Sequence, residues 1–275
     1  MNYRVHLNVE TFHSRLPFAY SHRQTFPIPP ISTVIGFLAN LFGLHNKHQF
    51  EDFNRKHKLK KVAVFCKSTE VLEEYQWLRN LSATTKPRLC RTETQHPGQI
   101  IPTFVQQVVK PEVLIYFALD KAVDVQSLNP FTILSLGRAE DLVTTFEISE
   151  IELEEISPLA RDSLGKQFFR LFNRRTTYMF WLPLNTFKGS VSGLDYLRYV
   201  VPVMYRYGTV KQNGIQTTVR HFTNVEAFLI RGSLRPLYNV LISGGYKDKS
   251  LFFDPKTEMP IFWFDLTNLD GTNIN

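Results

Sequence analysis

The alternation of apolar and polar positions at the start of the chain predicts a β-strand. Over residues 3–11 every second side chain is apolar and those between are polar or charged. A period of two places the apolar side chains on one face of a half-buried strand. Residues 62–68 predict a second strand, and the nearly continuous apolar run over 113–120 predicts a buried one.

Residues 32–43 predict a short helix. The prolines within residues 27–30 exclude a helix before this point, because proline removes a backbone donor and clashes with the preceding turn. Ser32 or Thr33 then supplies an N-cap, and Gly43 ends the helix. Since the run is almost wholly apolar and has no polar face, we expect it to be buried.

The order of the remaining elements predicts an α+β fold. A second short helix over 127–137 and an alternating strand over 142–153 complete a β-α-β-β-α-β order within residues 1–156, which is the order of a ferredoxin-like, RRM-type domain. The polar stretch of about residues 74–111 is rich in Thr, Arg and Gln. Irregular stretches of this length are usually functional, so we predict an inserted, projecting β-hairpin here.

Residues 157–275 predict a smaller, β-rich C-terminal domain. A helix over 158–172 links it to the first domain. Aromatic and β-branched runs predict strands over 177–182, 199–207, 220–230 and 238–242. The chain then predicts a hairpin that turns at Asp254, Pro255 and Lys256.

The composition indicates a globular protein of a reducing compartment. Hydrophobic residues make up 43% and charged residues 21% of the 275 residues, which excludes disorder of the whole chain. The two cysteines, Cys66 and Cys90, are too few for a disulfide framework or a structural zinc site. No apolar run reaches the roughly 18 residues of a membrane span, and the first residues have no leader-type apolar core. We therefore expect a soluble cytoplasmic protein without a membrane partner.

The charge is unevenly distributed. The net charge is +7, yet residues 140–155 contain seven acids and no Lys or Arg. Residues 79–110 contain five bases and one acid. A basic surface attracts phosphate chains through counterion release. An ordinary solvated face remains an equal alternative.

Motifs for common chemistry are absent from the sequence: it has no Walker A loop, dinucleotide-binding glycines, nucleophile elbow or zinc-protease motif. His45, His48 and His57 lack a companion ligand at a suitable spacing, so we expect no metal or cofactor. Glu150, Glu152 and Glu154 alternate along one predicted strand face. A metal cluster is one interpretation, but protection of an exposed edge or contact with a basic subunit is favoured.

A polar and aromatic loop precedes the first helix. It contains Arg15, Tyr20, His22 and Arg23. Arginine pairs with phosphate, aromatic rings stack on unpaired bases, and the amides of a helix start can hold an anion. This combination suits single-stranded RNA. The alternative is a small core of Tyr and Phe under the loop, with the arginines left in solvent.

Three features in order resemble the Cas-five family of type I CRISPR Cascade complexes, most closely the longer type I-B members. Pro29, Ser32 and Gly36 resemble the family signature at the start of an apolar first helix. Residues 134–142, LSLGRAEDL, resemble its Leu-Gly-Arg-x-Glu-Asp stretch. The basic stretch between the middle strands is similar to the thumb hairpin of the family. Together these features span the first ~155 residues.

The resemblance implies an RNA-binding subunit of the RAMP superfamily in antiviral defence. Such a subunit caps the Cascade backbone and holds the 5′ handle of the CRISPR RNA (crRNA). It contacts the backbone subunit through the thumb, lies beside the large subunit, and meets target DNA only through the complex. The residues it assigns to RNA are His22, Arg23, Ser32 and Thr33 near the first helix, Lys86, Arg88 and Arg91 in the thumb, and Arg138. Gly137 supplies backbone freedom for a close phosphate approach.

One branch of the family cuts repeat RNA with a Tyr in the first helix and a Lys-His pair after the thumb. This chain has Phe37 and Phe42 in that helix, and no such pair follows Lys110. We therefore expect a non-catalytic subunit. The alternative is a metal-independent endoribonuclease using Tyr20, His22 and Arg23. A third hypothesis is a β-rich interaction protein with no RNA role.

Overall fold

The computed structural model describes residues 1–17, 22–44, 53, 56–68, 70–79, 100–125, 128, 133–156, 163–187, 196–212, 215–242 and 251–267. Within these ranges the chain is mostly β-strand with three α-helices. The helices are α1 (Ile31–Leu41), α2 (Ser163–Phe172) and α3 (Arg235–Ile242). The strands are β1 (Asn2–Val9), β2 (Thr11–Phe12), β3 (His22–Arg23), β4 (Leu59–Lys67), β5 (Glu70–Arg79), β6 (Ile100–Val109), β7 (Glu112–Leu119), β8 (Val143–Ile151), β9 (Glu154–Ile156), β10 (Arg175–Pro183), β11 (Leu197–Gln212), β12 (Ile215–Ser233), β13 (Leu251–Asp254), β14 (Met259–Ile261) and β15 (Phe264–Asp265).

An antiparallel sheet of eight strands forms the centre of the fold. Its order is β11-β12-β10-β4-β7-β1-β8, with β15 also paired to β4. On β1, Val5 lies opposite Ile115 of β7 on one side and Ile148 of β8 on the other. Because β10 and β15 both pair with β4, strands from both sides of residue 156 share this sheet. The domain boundary predicted there stays a prediction.

The two faces of the sheet bury separate cores. On β4, Val64 points to the face that α1 covers, and Phe65 points to the opposite face. The second face is covered by α2, α3 and a small sheet of order β14-β13-β9. Helix α1 is buried on most of its circumference, as its apolar sequence predicts.

Strands β5 and β6 form a separate antiparallel ribbon. Their register runs from Glu70 opposite Val109 to Arg79 opposite Ile100. Strand β2 pairs antiparallel with β6, and β3 pairs parallel with it. Residues 80–99 lie outside the described residues, so the hairpin predicted over about 74–111 is described only where β5 and β6 pair.

The strand predicted over 238–242 is wrong, and the helix predicted over 127–137 does not include residues 133–137. Residues 127 and 129–132 of that helix lie outside the described residues. Described residues 133–142 form a turn closed by a β-bridge between Ser135 and Leu142, where the end of a helix is predicted. The segment predicted as a strand over 238–242 belongs to α3, because Leu237 and Leu241, four residues apart, are both buried on one helical face. The predicted strands over 3–11, 62–68, 113–120, 177–182, 199–207 and 220–230 and the final hairpin are confirmed.

Two local details of the sequence interpretation also need correction. Helix α1 has Pro30 at its N-cap with no side-chain cap, so neither Ser32 nor Thr33 caps it. Strand β8 ends at Ile151, and Glu154 begins β9 in the other sheet. The predicted row of three glutamates on one strand face therefore does not exist.

A buried ion pair ties the final hairpin to the main sheet. Nη1 of Arg4 on β1 lies 2.6 Å from Oδ2 of Asp254 at the end of β13. The same carboxylate oxygen accepts a 2.9 Å hydrogen bond from the hydroxyl of Tyr116 on β7. Burial alone would raise the pKa of Asp254, but the bonds from Arg4, the Lys256 amide and Tyr116 hold it below its usual 3.8. The pair therefore stabilises the fold as an ionised pair.

We expect Asp254→Asn to lower the free energy of unfolding by about 3 kcal/mol at pH 7, because it leaves the Arg4 charge buried without a counterion. The matched control is Glu226→Gln, which breaks the exposed Arg198–Glu226 pair and costs less than about 1 kcal/mol. Chemical denaturation measures both changes.

The stabilising contribution of Asp254 depends on pH. Since the folded pKa of Asp254 lies below the unfolded one, this contribution is present above about pH 3.8 and is lost as pH falls further. The deficit of the variant should shrink in acid; a constant deficit contradicts the electrostatic account.

Candidate nucleic-acid interface

A cleft of about 610 Å³ opens between α1 and the two long strands β11 and β12, which together are named the β11–β12 ribbon. The residues that line it come from four separate segments of the chain. They are Ser14, Arg15 and Pro17 before β3; Ser32, Thr33, Gly36, Phe37 and Asn40 on α1; Ser135 and Gly137; and Pro202, Tyr205, Arg220, Phe222 and Asn224 on the ribbon. The cleft therefore unites segments that are far apart in sequence.

The indole of Trp181 fixes the start of α1 beside the ribbon. Its Nε1 donates a buried 3.0 Å hydrogen bond to the carbonyl of Pro29, immediately before the helix. The ring of Trp181 meets Phe26 edge-on at 6.1 Å and Tyr199 of β11 at 5.2 Å between centroids. These contacts hold the proline-rich segment against β10 and β11, and so set the width of the cleft.

The start of α1 presents small polar groups to the cleft. Ser32 and Thr33 both line it, and the hydroxyl of Thr33 lies 3.4 Å from that of Ser14. The first turn contains no acidic residue and Pro30 offers no capping side chain. The partial positive charge of the helix start is therefore not neutralised by a carboxylate in its own first turn.

The turn at residues 134–142 forms another wall of the cleft and is organised by a buried carboxylate. Asp141 is fully buried and accepts hydrogen bonds from the hydroxyl of Thr11 at 3.0 Å, the amide of His13 at 3.1 Å and the amide of Arg138 at 2.8 Å. The Arg138 guanidinium lies 2.9 Å from Asp141 and 3.2 Å from Glu140. Arg138 is thus already paired, and its RNA contact stays a prediction.

Gly137 has a local structural role in this turn. Its φ is +112°, and a Cβ there would lie 2.9 Å from both the His13 carbonyl and the Asp141 carboxylate. No L side chain fits that approach without movement of buried backbone. The backbone freedom predicted at Gly137 is required here by the protein itself.

Arg15 brings positive charge to the cleft, and Arg23 is close enough for the two charges to interact. Arg15 forms a β-bridge with Thr25 and lines the cleft. Burial, followed by the charge of Arg15, lowers the pKa of Arg23. The positive charge of Arg15 therefore disfavours the protonated form of Arg23.

His22 packs against the β5–β6 ribbon, and its RNA contact stays a prediction. It lies on β3 beside β6, and its Nε2 is 3.1 Å from a carboxylate oxygen of Glu73, although not in hydrogen-bond geometry. Its ring is 6.1 Å from that of Phe104. His22 is not among the residues that line the cleft.

The ribbon wall contributes residues that the sequence interpretation missed. The Arg220 guanidinium lies over the rings of Tyr205 at 5.1 Å and Tyr207 at 5.6 Å, and its Nε donates to the Tyr207 hydroxyl at 3.2 Å. The Phe222 ring is 5.9 Å from that of Tyr205 and is 47% exposed. Both strands contain aromatic and basic residues. Only the register shows that Arg220 and Phe222 of β12 lie on the same face as Tyr205 and Tyr207 of β11.

Several predicted residues lie outside the described residues: Tyr20, Lys86, Arg88, Arg91, His45 and His48. Within the described ranges, no group of three or more His, Cys, Asp or Glu side chains is placed to hold a metal ion. No helix in that part of the chain is both long and apolar enough to cross a membrane.

Comparisons with known proteins give distant structural likenesses. No family model matches the chain, and no curated protein matches it. A solved structure described as a CRISPR RNA-guided surveillance complex is similar at 13% identity over 88% of this chain and 98% of that chain, with a TM-score of 0.43. A CRISPR protein from Archaeoglobus fulgidus gives 10% identity over 84% and 92% of the two chains, with a TM-score of 0.32. A chain of a type III-B Cmr-beta complex bound to target RNA gives 11% identity over 84% and 85%, with a TM-score of 0.39. TM-scores below 0.5 do not establish a shared fold.

We expect Gly137→Ala to destabilise the protein by about 2 kcal/mol or more, because a strained φ and the collision with His13 and Asp141 add together. Gly43→Ala is the matched control: its φ is +78°, but nothing lies within 4 Å of its Cβ position. That variant should lose only about 1 kcal/mol from backbone strain. Chemical denaturation of both variants gives the difference. Equal losses would show that the close approach at Gly137 has no energetic consequence.

Proposed function

We propose that this chain is a non-catalytic crRNA-binding subunit of a type I-B-like CRISPR Cascade complex, which holds the 5′ handle of the RNA in the cleft beside α1. The observation that supports it is the convergence in one cleft of Arg15, the start of α1 and the aromatic-basic ribbon wall. Arginine and uncapped helix amides suit phosphate, and aromatic rings suit unpaired bases. That is the combination that single-stranded RNA requires.

The strand order supports the proposed ferredoxin-like character of the N-terminal part. Strands β4, β7, β1 and β8 are neighbours in this order, and every neighbouring pair is antiparallel. This is the arrangement of the β-α-β-β-α-β unit predicted from the sequence. In the second crossover, described residues 133–142 form a turn, while residues 127 and 129–132 of the predicted helix lie outside the described residues.

The proposal also includes the protein partners of the chain and its relation to target DNA. The β5–β6 ribbon is proposed as the thumb that contacts the backbone subunit. It carries half-exposed apolar side chains, among them Val71 and Leu72 at 55% and Phe104 at 50%. Exposed apolar patches mark interaction surfaces. The large subunit is proposed to lie beside this chain, and target DNA to be met only through the assembled complex.

The absence of catalysis is part of the proposal. Arginine, serine, threonine, asparagine and aromatic side chains line the cleft, and these bind RNA without exchanging protons near neutral pH. Metal-free cleavage also requires a base at the 2′-hydroxyl. The endoribonuclease alternative assigns this step to His22, which lies beside Glu73 on the β5–β6 ribbon.

We expect Arg15→Ala to weaken binding of the cognate CRISPR repeat RNA about ten-fold and to reduce the salt slope of log K by about one, since one phosphate contact is lost. Arg231→Ala is the matched control, because Arg231 is exposed on β12 but does not line the cleft. Fluorescence anisotropy at several salt concentrations measures both quantities. Equal effects of the two substitutions would indicate nonspecific charge attraction and reject the cleft as the RNA site.

We expect the cognate repeat RNA to remain intact after incubation with the purified protein in EDTA, and to shift on a native gel only when the 5′ handle is present. A denaturing gel of the same samples detects cleavage. Products with 2′,3′-cyclic phosphate ends would support the endoribonuclease instead, and their loss in His22→Ala would assign the base. RNA that neither shifts nor breaks would favour the interaction protein without an RNA role.

A further inference from the structure

The β11–β12 ribbon has one face on which aromatic and basic side chains form a continuous row. In the register, Tyr205 lies opposite Phe222 and Tyr207 lies opposite Arg220. Because side chains alternate along a strand, residues two apart share a face. Tyr205, Tyr207, Arg220 and Phe222 are therefore neighbours on one surface, and their ring and guanidinium contacts agree with that.

This row is partly inside the cleft and partly beyond it. Tyr205, Arg220 and Phe222 line the cleft, whereas Tyr207 lies further along the ribbon. Tyr205 is buried, with 8% of its surface exposed, whereas 47% of the surface of Phe222 is exposed. Arg220 packs on two tyrosine rings, and no carboxylate among the described residues pairs with it. An exposed ring beside a stacked guanidinium is a surface on which a flat π-system can stack.

The same face continues away from the cleft without acidic residues. Thr209 lies opposite Thr218, and Lys211 lies opposite Gln216, all on the face of Tyr205. At about 3.4 Å per residue, the face extends roughly 20 Å from Tyr205 to Lys211. Residues 196–225 contain no Asp or Glu. A phosphate chain that leaves the cleft along this face therefore meets no repelling side chain of the ribbon.

We propose that Phe222, with Tyr205, Tyr207 and Arg220, is a stacking platform for one unpaired RNA base, and that the RNA strand continues along the ribbon toward Lys211. This inference rests on the proposed function, since it places single-stranded RNA in the cleft. The platform holds any base, because every base offers a flat π-face and stacking does not read its edges. It assigns RNA binding to the C-terminal half of the chain.

A double-mutant cycle tests the platform on the full chain. The probe is the cognate repeat RNA, together with a set in which one nucleotide at a time is replaced by an abasic site. We expect Phe222→Ala to weaken binding of the intact RNA about ten-fold. One abasic position should cause a similar loss in the wild type and little further loss in Phe222→Ala, because both changes remove the same contact. Phe222→Tyr should restore binding.

Two further measurements sharpen the test. Exchanging the base at the sensitive position should change affinity by less than about three-fold, since stacking tolerates any base. Lys211→Ala should weaken only RNAs that extend beyond that position. Phe169→Ala is the control, because Phe169 is 51% exposed on α2, away from the cleft lining, and should leave RNA affinity unchanged.

The outcomes separate the platform from the proposed function. If the wild type binds the repeat RNA and the abasic scan is identical in Phe222→Ala, the platform is wrong while RNA binding stands. A sensitive position that accepts one base alone would also overturn it, since edge recognition would then replace stacking. If the wild type binds no repeat RNA, the proposed function and the platform fail together.

Discussion

The hydrogen bond from Trp181 to the Pro29 carbonyl is the contact on which the candidate site depends. It joins residues 152 positions apart and is buried. A buried carbonyl without a partner is costly, so the indole constrains where the proline-rich segment can lie. Phe26 and Tyr199 fill the space around the indole with edge-on ring contacts. Helix α1 therefore begins at a fixed distance from the ribbon, and the cleft is the space that remains between them.

Both faces of the central sheet bury apolar cores, and one of them also contains a buried ion pair. On the side of α1, an apolar core continues from β1 through β4 to the ribbon. On the other side, the Arg4–Asp254 pair and the Tyr116 hydroxyl fix the final hairpin in a single position. Hydrogen bonds and ion pairs are directional, so they fix the position of the hairpin on the sheet more specifically than apolar contacts do. The ribbon extends from the sheet that these contacts hold in place.

The protein holds the arginines in and near the cleft in different ways. Arg138 is paired with the buried Asp141, so its charge stabilises the turn around Gly137. Arg15 and Arg23 lie close enough for their charges to repel, and Arg220 rests on aromatic rings. The first turn of α1, which also lines the cleft, contains no acidic residue.

Local side-chain order was enough to predict most of the helices and strands. The period-two alternation predicted β1, and apolar runs predicted β4 and β7, because the burial of a strand determines the order of its apolar and polar side chains. Prolines and Gly43 bounded α1 for equally local reasons. Arg15, Ser32 and Thr33, which the sequence interpretation assigned to RNA, line one cleft, and their RNA contacts stay a prediction. The strand predicted over 238–242 failed because a short apolar segment fits either period, and only packing against α2 decides between them.

Which of these residues come into contact depends on the pairing of strands that are distant in sequence. Arg220 and Phe222 lie about 190 residues from the start of α1, and no local pattern indicates that they face it. Their contacts with Tyr205 and Tyr207 follow from the register of β11 with β12, and the position of the ribbon follows from the pairing of β12 with β10 and of β10 with β4. His22 shows the opposite case: it is near α1 in sequence, yet its strand pairs with β6 and carries it out of the cleft lining. Sequence patterns record the burial of each residue, whereas the contacts between distant strands are set by pairing and packing of the whole chain.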